Sequence, residues 1–235
     1  MKIRTLLSPL NVEELYFTKK TTIVIDVLRA TTTIVTALNN GAKEIIPVGS
    51  IEFAMKTSGS GQMLLGGERN AEKIDGFTFG NSPLEYTEET VKGKSIILFT
   101  TNGSKALVRA KFSTNLFVAS FLNVKATVKE VLKTKENLEI LCSGNNGMYC
   151  LEDSVCAGMI IKQILEIKEN VELDDASNTC LILYNKNQKR IKKMLSETDH
   201  GKTLIAKGFV KDIAYAAQEN IYNIVPKYSD GAIKI

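Results

Sequence analysis

Asp26-Val-Leu-Arg29-Ala-Thr31-Thr32-Thr33 places an acid, an arginine and three hydroxyls between two apolar segments. Ile23-Val24-Ile25 precedes them as a buried strand, and the helix-like Ile34-Val35-Thr36-Ala37-Leu38 follows. α/β proteins do chemistry at such points, outside the carboxyl ends of their strands. The acid can hold a cation, while the arginine and a helix N-terminus can hold an anion. Both signs in one turn fit phosphate chemistry with a metal. Asp26 could bind Mg²⁺, orient water, act as a nucleophile, or simply cap the helix. Arg29 could fork onto a phosphate, carboxylate or sulfonate, or form a surface ion pair. Thr31 and Thr32 are N-cap candidates, and a cap position can also bind an anion.

Further polar segments follow other apolar runs. Gly66-Gly67-Glu68-Arg69 reads as a turn whose glycines let backbone approach a ligand and whose charges again have both signs. Gly80-Asn81-Ser82-Pro83 reads as a turn in which Asn81 can hydrogen-bond a ligand. Thr100-Thr101-Asn102-Gly103-Ser104 offers hydroxyls and backbone N–H groups at a helix start. It is not a Walker A loop, because Lys105 follows Ser104 and the first glycine is missing. Ser143-Gly144-Asn145-Asn146-Gly147 leads to Glu152-Asp153, acids that either complement a helix dipole or ligate a metal and act in acid–base steps. His200, the single histidine, reads as a surface residue of a polar turn. Cys142, at a strand end, is a minor candidate nucleophile.

The elements that must position these residues alternate. Candidate strands are 22–25, 44–48, 63–65, 95–100, 116–119 and 138–142, with helices at 32–39, 51–57, 105–110, 124–134 and 153–167. Asn40-Gly41 is a helix stop. This predicts a layered α/β/α protein with a mostly parallel or mixed sheet of repeated βα units. If the strands are parallel, the polar loops converge on one edge. The strand and helix around Arg29-Ala30-Thr31 are echoed around Asn102-Gly103-Ser104, either as a duplication or as ordinary α/β construction. The last third reads as helices at 174–184, 188–195 and 209–217, with short strands at 223–227 and 232–235 covering the sheet. The chain is read as one unit over 1–235. It can be subdivided into a motif-bearing core, 1–170, and a helix-rich C-terminal part, 171–235.

The small net charge of +4 and the scattered lysines leave no nucleic-acid footprint. Lys189, Arg190, Lys192 and Lys193 read as a solvated helix face. No apolar run approaches the roughly 20 residues that span a bilayer, and no signal peptide is visible, so a cytoplasmic location and no membrane partner are expected. The four cysteines form no C-x-x-C pair, which argues for free thiols. A homo-oligomer is left open.

Together these segments resemble the 2-phosphosulfolactate phosphatase (ComB) family. The resemblance rests on Val24–Thr33, Gly66–Arg69, Gly76–Pro83, Thr100–Ser104 and Leu151–Ser154, and more loosely on Asp199–Gly201 and Gly208–Asp212. Ser104 stands where threonine is expected, and Asn145–Met148 departs from the usual loop. The resemblance implies a Mg²⁺-dependent hydrolase converting (2R)-O-phospho-3-sulfolactate to 3-sulfolactate and phosphate, a step towards coenzyme M. It implies Asp26, Glu68, Glu152 and Asp153 as metal ligands and, with Arg29, as the catalytic set. Arg29, Thr31, Thr32, Arg69, Asn81, Thr101, Asn102, Gly103 and Ser104 would bind the small anionic substrate. Water attack on phosphorus is favoured over an aspartyl-phosphate, because Leu28 breaks the D-x-D-x-T pattern. The alternatives are another phosphorylated hydroxy acid as substrate, or a non-catalytic protein binding an acidic metabolite.

Overall fold

The computed structural model describes residues 1–58 and 63–235. In chain order the first half holds β1 (Lys2–Leu6), β2 (Thr21–Ile25), α1 (Ala30–Asn39), β3 (Glu44–Pro47), α2 (Ile51–Thr57), β4 (Leu64–Arg69), β5 (Glu72–Lys73), α3 (Glu88–Val91), β6 (Ser95–Phe99) and α4 (Gly103–Arg109). The second half holds β7 (Asn115–Ala119), α5 (Val124–Thr134), β8 (Leu138–Cys142), α6 (Leu151–Ile167), β9 (Glu172–Leu173), α7 (Asp175–Asn187), α8 (Ile191–Glu197), α9 (Asp199–Ala206), α10 (Val210–Ala216), β10 (Lys227–Ser229) and β11 (Ala232–Lys234). Among the described residues no helix is long and apolar enough to cross a membrane.

All strands join one mixed sheet of order β5-β4-β6-β3-β11-β10-β7-β2-β8-β1-β9. β4, β6 and β3 are mutually parallel, and so are β7, β2, β8, β1 and β9. The β10–β11 hairpin lies between these sets and is antiparallel to its neighbour on each side. Tracing the pairings across it, the two parallel sets run in opposite senses. The C-terminal strands therefore form the centre of the sheet and do not cover it. Their partners in the two parallel sets are more than a hundred residues away, which local patterning does not reveal.

The sheet separates its helices by side-chain alternation. On β2, Ile23 and Ile25 pack with α5, α6 and α7, while Val24 points to the opposite cluster with α1 and α4. On β6, Ile96 and Leu98 join that α1/α4 cluster, while Ile97 and Phe99 meet Ala54 of α2. The result is the layered α/β/α arrangement expected.

The internal echo has a structural counterpart. The units β2–α1–β3 and β6–α4–β7 each begin in one parallel set and end in the other. β3 pairs with β6, and β7 pairs with β2, so the two units embrace reciprocally. α1 and α4 thus share one face and meet near their N-terminal ends: a Cβ on Gly103 would overlap both the Cβ of Ala30 and Oδ2 of Asp26. The loops converge through this exchange rather than along one edge of a parallel sheet. A twist of roughly 20–25° per strand, accumulated between β6 and β2, turns the opposed strands well away from antiparallel.

Candidate active site

The turn after β2 is tied to itself. The Asp26 N–H donates to Thr31 Oγ1 at 2.9 Å, and that hydroxyl donates to the Asp26 carbonyl at 2.9 Å. Thr32 Oγ1 donates to the Val27 carbonyl and Thr33 Oγ1 to the Asn81 carbonyl, both at 2.8 Å. Thr31 and Thr32 are wholly buried. Their hydroxyls close the turn and hold Asp26 in place, so an anion would meet the backbone N–H groups of the helix start rather than these hydroxyls. Ser104 does the same in the echoed turn, exchanging hydrogen bonds with Thr100 through its N–H and hydroxyl.

Four carboxylates lie in a chain of neighbours around these turns, Glu68 and Asp153 each near Asp26 and Glu152 near Asp153. Asp26 accepts the Ala30 N–H through Oδ1 at 3.2 Å, as a helix-start acid should. Asp153 accepts the Val27 N–H at 2.8 Å and the Gly144 N–H at 3.1 Å, lacing the β2–α1 turn to the loop before α6. Glu68 accepts the Thr101 N–H and the Ala71 N–H, each at 2.7 Å, and the Thr101 hydroxyl at 3.1 Å. Glu152 lies 3.6 Å from His200 Nδ1. Burial, then the Asp153 charge, raises the pKa of Asp26 far above the ordinary carboxylate range, with Glu68 adding to the shift. Burial, then Glu152, raises Asp153 likewise. His200 is pulled down by burial, but Glu152 and Asp26 outweigh this and leave it raised.

These geometries revise several expectations. His200 is not a surface residue: it is half-buried, faces Glu152 and lines a cavity of about 230 Å³ with Glu68, Thr101 and Asn102. Gly66-Gly67-Glu68-Arg69 is the end of β4, not a turn. Gly66 packs under the Tyr86 hydroxyl, and Gly67, at φ +143, lies against the Phe99 carbonyl, so these glycines serve strand packing. Cys142 is buried, and that burial, then Asp153, raises its thiol pKa, which makes it inert.

Arg29 is neither on the surface nor open to solvent. Its Nη1 donates to Asp212 Oδ2 at 2.7 Å, and its guanidinium sits 4.1 Å from the Phe209 ring centroid. Ser82 Oγ donates to the other Asp212 oxygen at 2.8 Å. Residue type does not pick out Asp212, and it reads His200, the single histidine, as a surface residue. Their signal was the looser pair of segments at Asp199–Gly201 and Gly208–Asp212.

The remaining candidates divide. Arg69 is exposed beside Thr101 and Lys105 in a cavity of about 340 Å³. Thr101 borders this cavity, the Glu68 cavity and a third beside α4, so the three adjoin around the Thr101–Asn102 turn. Asn81 is buried and its Oδ1 has no partner, which leaves an acceptor for a water or ligand. Gly103 packs so closely on Asp26 that a Cβ there would overlap its Oδ2.

Among the described residues no three His, Cys, Asp or Glu side chains are grouped to hold a metal ion, so Asp26, Glu68, Glu152 and Asp153 do not form one ligand cage. Asp153 and Glu68 have oxygens committed to backbone N–H groups. Mg²⁺ characteristically takes one or two carboxylates and fills its shell with water and phosphate oxygens. The donor set fits that mode. Asp26, buried beside Asp153 and Glu68, is the candidate first ligand.

An α/β fold with buried acids, hydroxyls and nearby cations gathered around strand-to-helix turns is the kind of site that takes a small anionic ligand. The chain belongs to the 2-phosphosulpholactate phosphatase family, whose model matches residues 7–231. That membership places it among the phosphoric monoester hydrolases. It is 43% identical to a probable 2-phosphosulfolactate phosphatase of Thermotoga petrophila over 90% of both chains. It is 41% identical to one so named from Clostridium novyi over 97% of both, and 37% identical to one from Clostridium acetobutylicum over 99% of this chain and 100% of that one.

Proposed function

We propose that the protein hydrolyses (2R)-O-phospho-3-sulfolactate to 3-sulfolactate and phosphate with Mg²⁺, a step towards coenzyme M in organisms that make it. The family match over residues 7–231 supports the substrate. The observation that carries the metal-assisted chemistry is the buried Asp26 carboxylate, set against the α4 turn among other acids. Asp26 would hold Mg²⁺, with Glu68 or Glu152 contributing directly or through water. The bound ion would neutralise phosphoryl charge and lower the pKa of water.

The chain's own residues do the rest. The Thr31 and Ser104 hydroxyl bonds hold the two turns so that the reacting groups meet in a fixed geometry. A carboxyl group whose pKa lies towards neutrality is suited to accept the proton of an attacking water. Asp153 keeps the Asp26 turn in register with the α6 loop. Phosphate release should be measured across phosphosulfolactate, phospholactate and phosphoglycolate with Mg²⁺ present. Phosphosulfolactate is expected to have the highest kcat/KM. Faster turnover of either of the others would reject the named substrate.

A further inference from the structure

The cavity beside α4 differs from its neighbours in charge. It measures about 380 Å³, and Lys105, Arg109, Ser143, Asn102, Asn146 and Leu10 are among its lining residues. No acid lines it, whereas the adjoining cavity contains Glu68 and that beyond His200 contains Glu152. Among the described residues neither Lys105 nor Arg109 forms a salt bridge. The two are spaced i, i+4, so they share a helix face, and helix side chains lean towards the N-terminal end, here the Asp26 end.

A buried residue of the same lining supplies an independent sign of a ligand. Ser143 is 1% exposed and its Oγ has no hydrogen-bond partner. Buried hydroxyls are ordinarily paired, so an orphan on a cavity wall calls for an acceptor from outside the chain. Its position is fixed, because the Ser143 N–H donates to the Ile25 carbonyl at 2.8 Å, one residue before Asp26. The cavity thus borders the proposed phosphoryl site and carries the charge opposite to the acid cluster.

We infer that this cavity is the subsite for the non-reacting sulfonate of the substrate, bound by Arg109, Lys105 and Ser143 Oγ. The inference rests on the phosphatase reading above and adds the residues that select the substrate. A sulfonate stays ionised at any physiological pH, so it requires standing cations and the absence of acids. The guanidinium fork matches two of its oxygens, and the ammonium and hydroxyl can donate to the third.

The test compares phosphosulfolactate with phospholactate, which differs in lacking the sulfonate, in wild type and in the double variant Lys105→Gln/Arg109→Gln. Both side chains are exposed, so the variant should fold. The ratio of kcat/KM for the two substrates is expected to fall at least tenfold in the variant, mainly through KM for phosphosulfolactate. An unchanged ratio overturns the subsite. Calorimetric titration with sulfoacetate, which carries no phosphate, separates this from failure of the phosphatase reading. Binding to wild type that is lost in the double variant and weakened in Ser143→Ala supports the subsite even if phosphosulfolactate is not hydrolysed. Absence of binding to wild type, or equal binding to the variants, contradicts it even if phosphosulfolactate is hydrolysed.

Discussion

Gly103 lies so close to Asp26 that a single added carbon would overlap the aspartate's Oδ2. The contact joins two halves of a reciprocal exchange, in which the turn after β2 meets the turn after β6. Asp26 comes from one turn, Gly103 from the other, and the Ala30 methyl closes the gap between them. The geometry of the Asp26 carboxylate is therefore set by how tightly two distant βα units pack.

Gly103→Ala tests that dependence. The new methyl must push the turns apart, at a cost of about 1–3 kcal/mol for overpacking. A displacement near 1 Å at Asp26 should lower kcat/KM by up to about a hundredfold. Urea denaturation and phosphate release together check this. A variant with wild-type activity would show that the contact does not set the site.

Asp212 should matter for stability as well as for the site. It compensates Arg29 at 2.7 Å with both side chains nearly inaccessible, and it also accepts from Ser82. Asp212→Ala leaves a buried guanidinium without its counter-charge, for an expected loss of about 3–5 kcal/mol. Denaturant midpoints measure it. A loss smaller than about 1 kcal/mol would be the behaviour of an exposed pair.

The acid cluster predicts an unusual pH dependence for the metal-free protein. Asp26 and Asp153 titrate far higher in the fold than in the unfolded chain. The folded state therefore binds more protons, and stability falls as pH rises from the ordinary carboxylate value near 4, through neutrality, until the folded groups ionise. Mg²⁺ should offset this by binding the ionised acids, so its stabilising effect on Tm should be larger at pH 8 than at pH 6. Equal Tm shifts at the two pH values would contradict a cation bound at these acids.

Much of this arrangement was legible in the sequence because it is local. Apolar runs ending in Asp26 and Thr100, each followed by hydroxyls and a helix, marked both central turns. The helix at 124–134 was placed to the residue, and Gly41 takes the expected positive φ after α1. The echo of Ala30-Thr31 in Gly103-Ser104 was visible, but its meaning, an exchange of strands between two sets, was not. Pairings over long separations also hid β1, whose charged KIRTL sequence lacks an apolar signature, and the central place of the β10–β11 hairpin. Asp212 and His200 joined the site for the same reason: their helices pack against the turns only in three dimensions. That the hydroxyls of Thr31 and Thr32 bond the backbone carbonyls of Asp26 and Val27 is not legible, because residue type does not show when a side chain is already engaged by its own turn.

The most direct measurement is phosphate release from phosphosulfolactate by wild type and by Asp26→Asn, with Mg²⁺ and with a chelator. Asparagine can still accept the Ala30 N–H, so the variant should fold, and with the buried titrating carboxyl removed its metal-free form should be at least as stable as wild type at neutral pH. Wild type is expected to require Mg²⁺, and the variant to lose on the order of a thousandfold or more in kcat, the scale of a lost metal ligand or acid–base group. Turnover by Asp26→Asn at the wild-type rate, or wild-type activity indifferent to the chelator, would contradict an Asp26-held metal as the centre of this site.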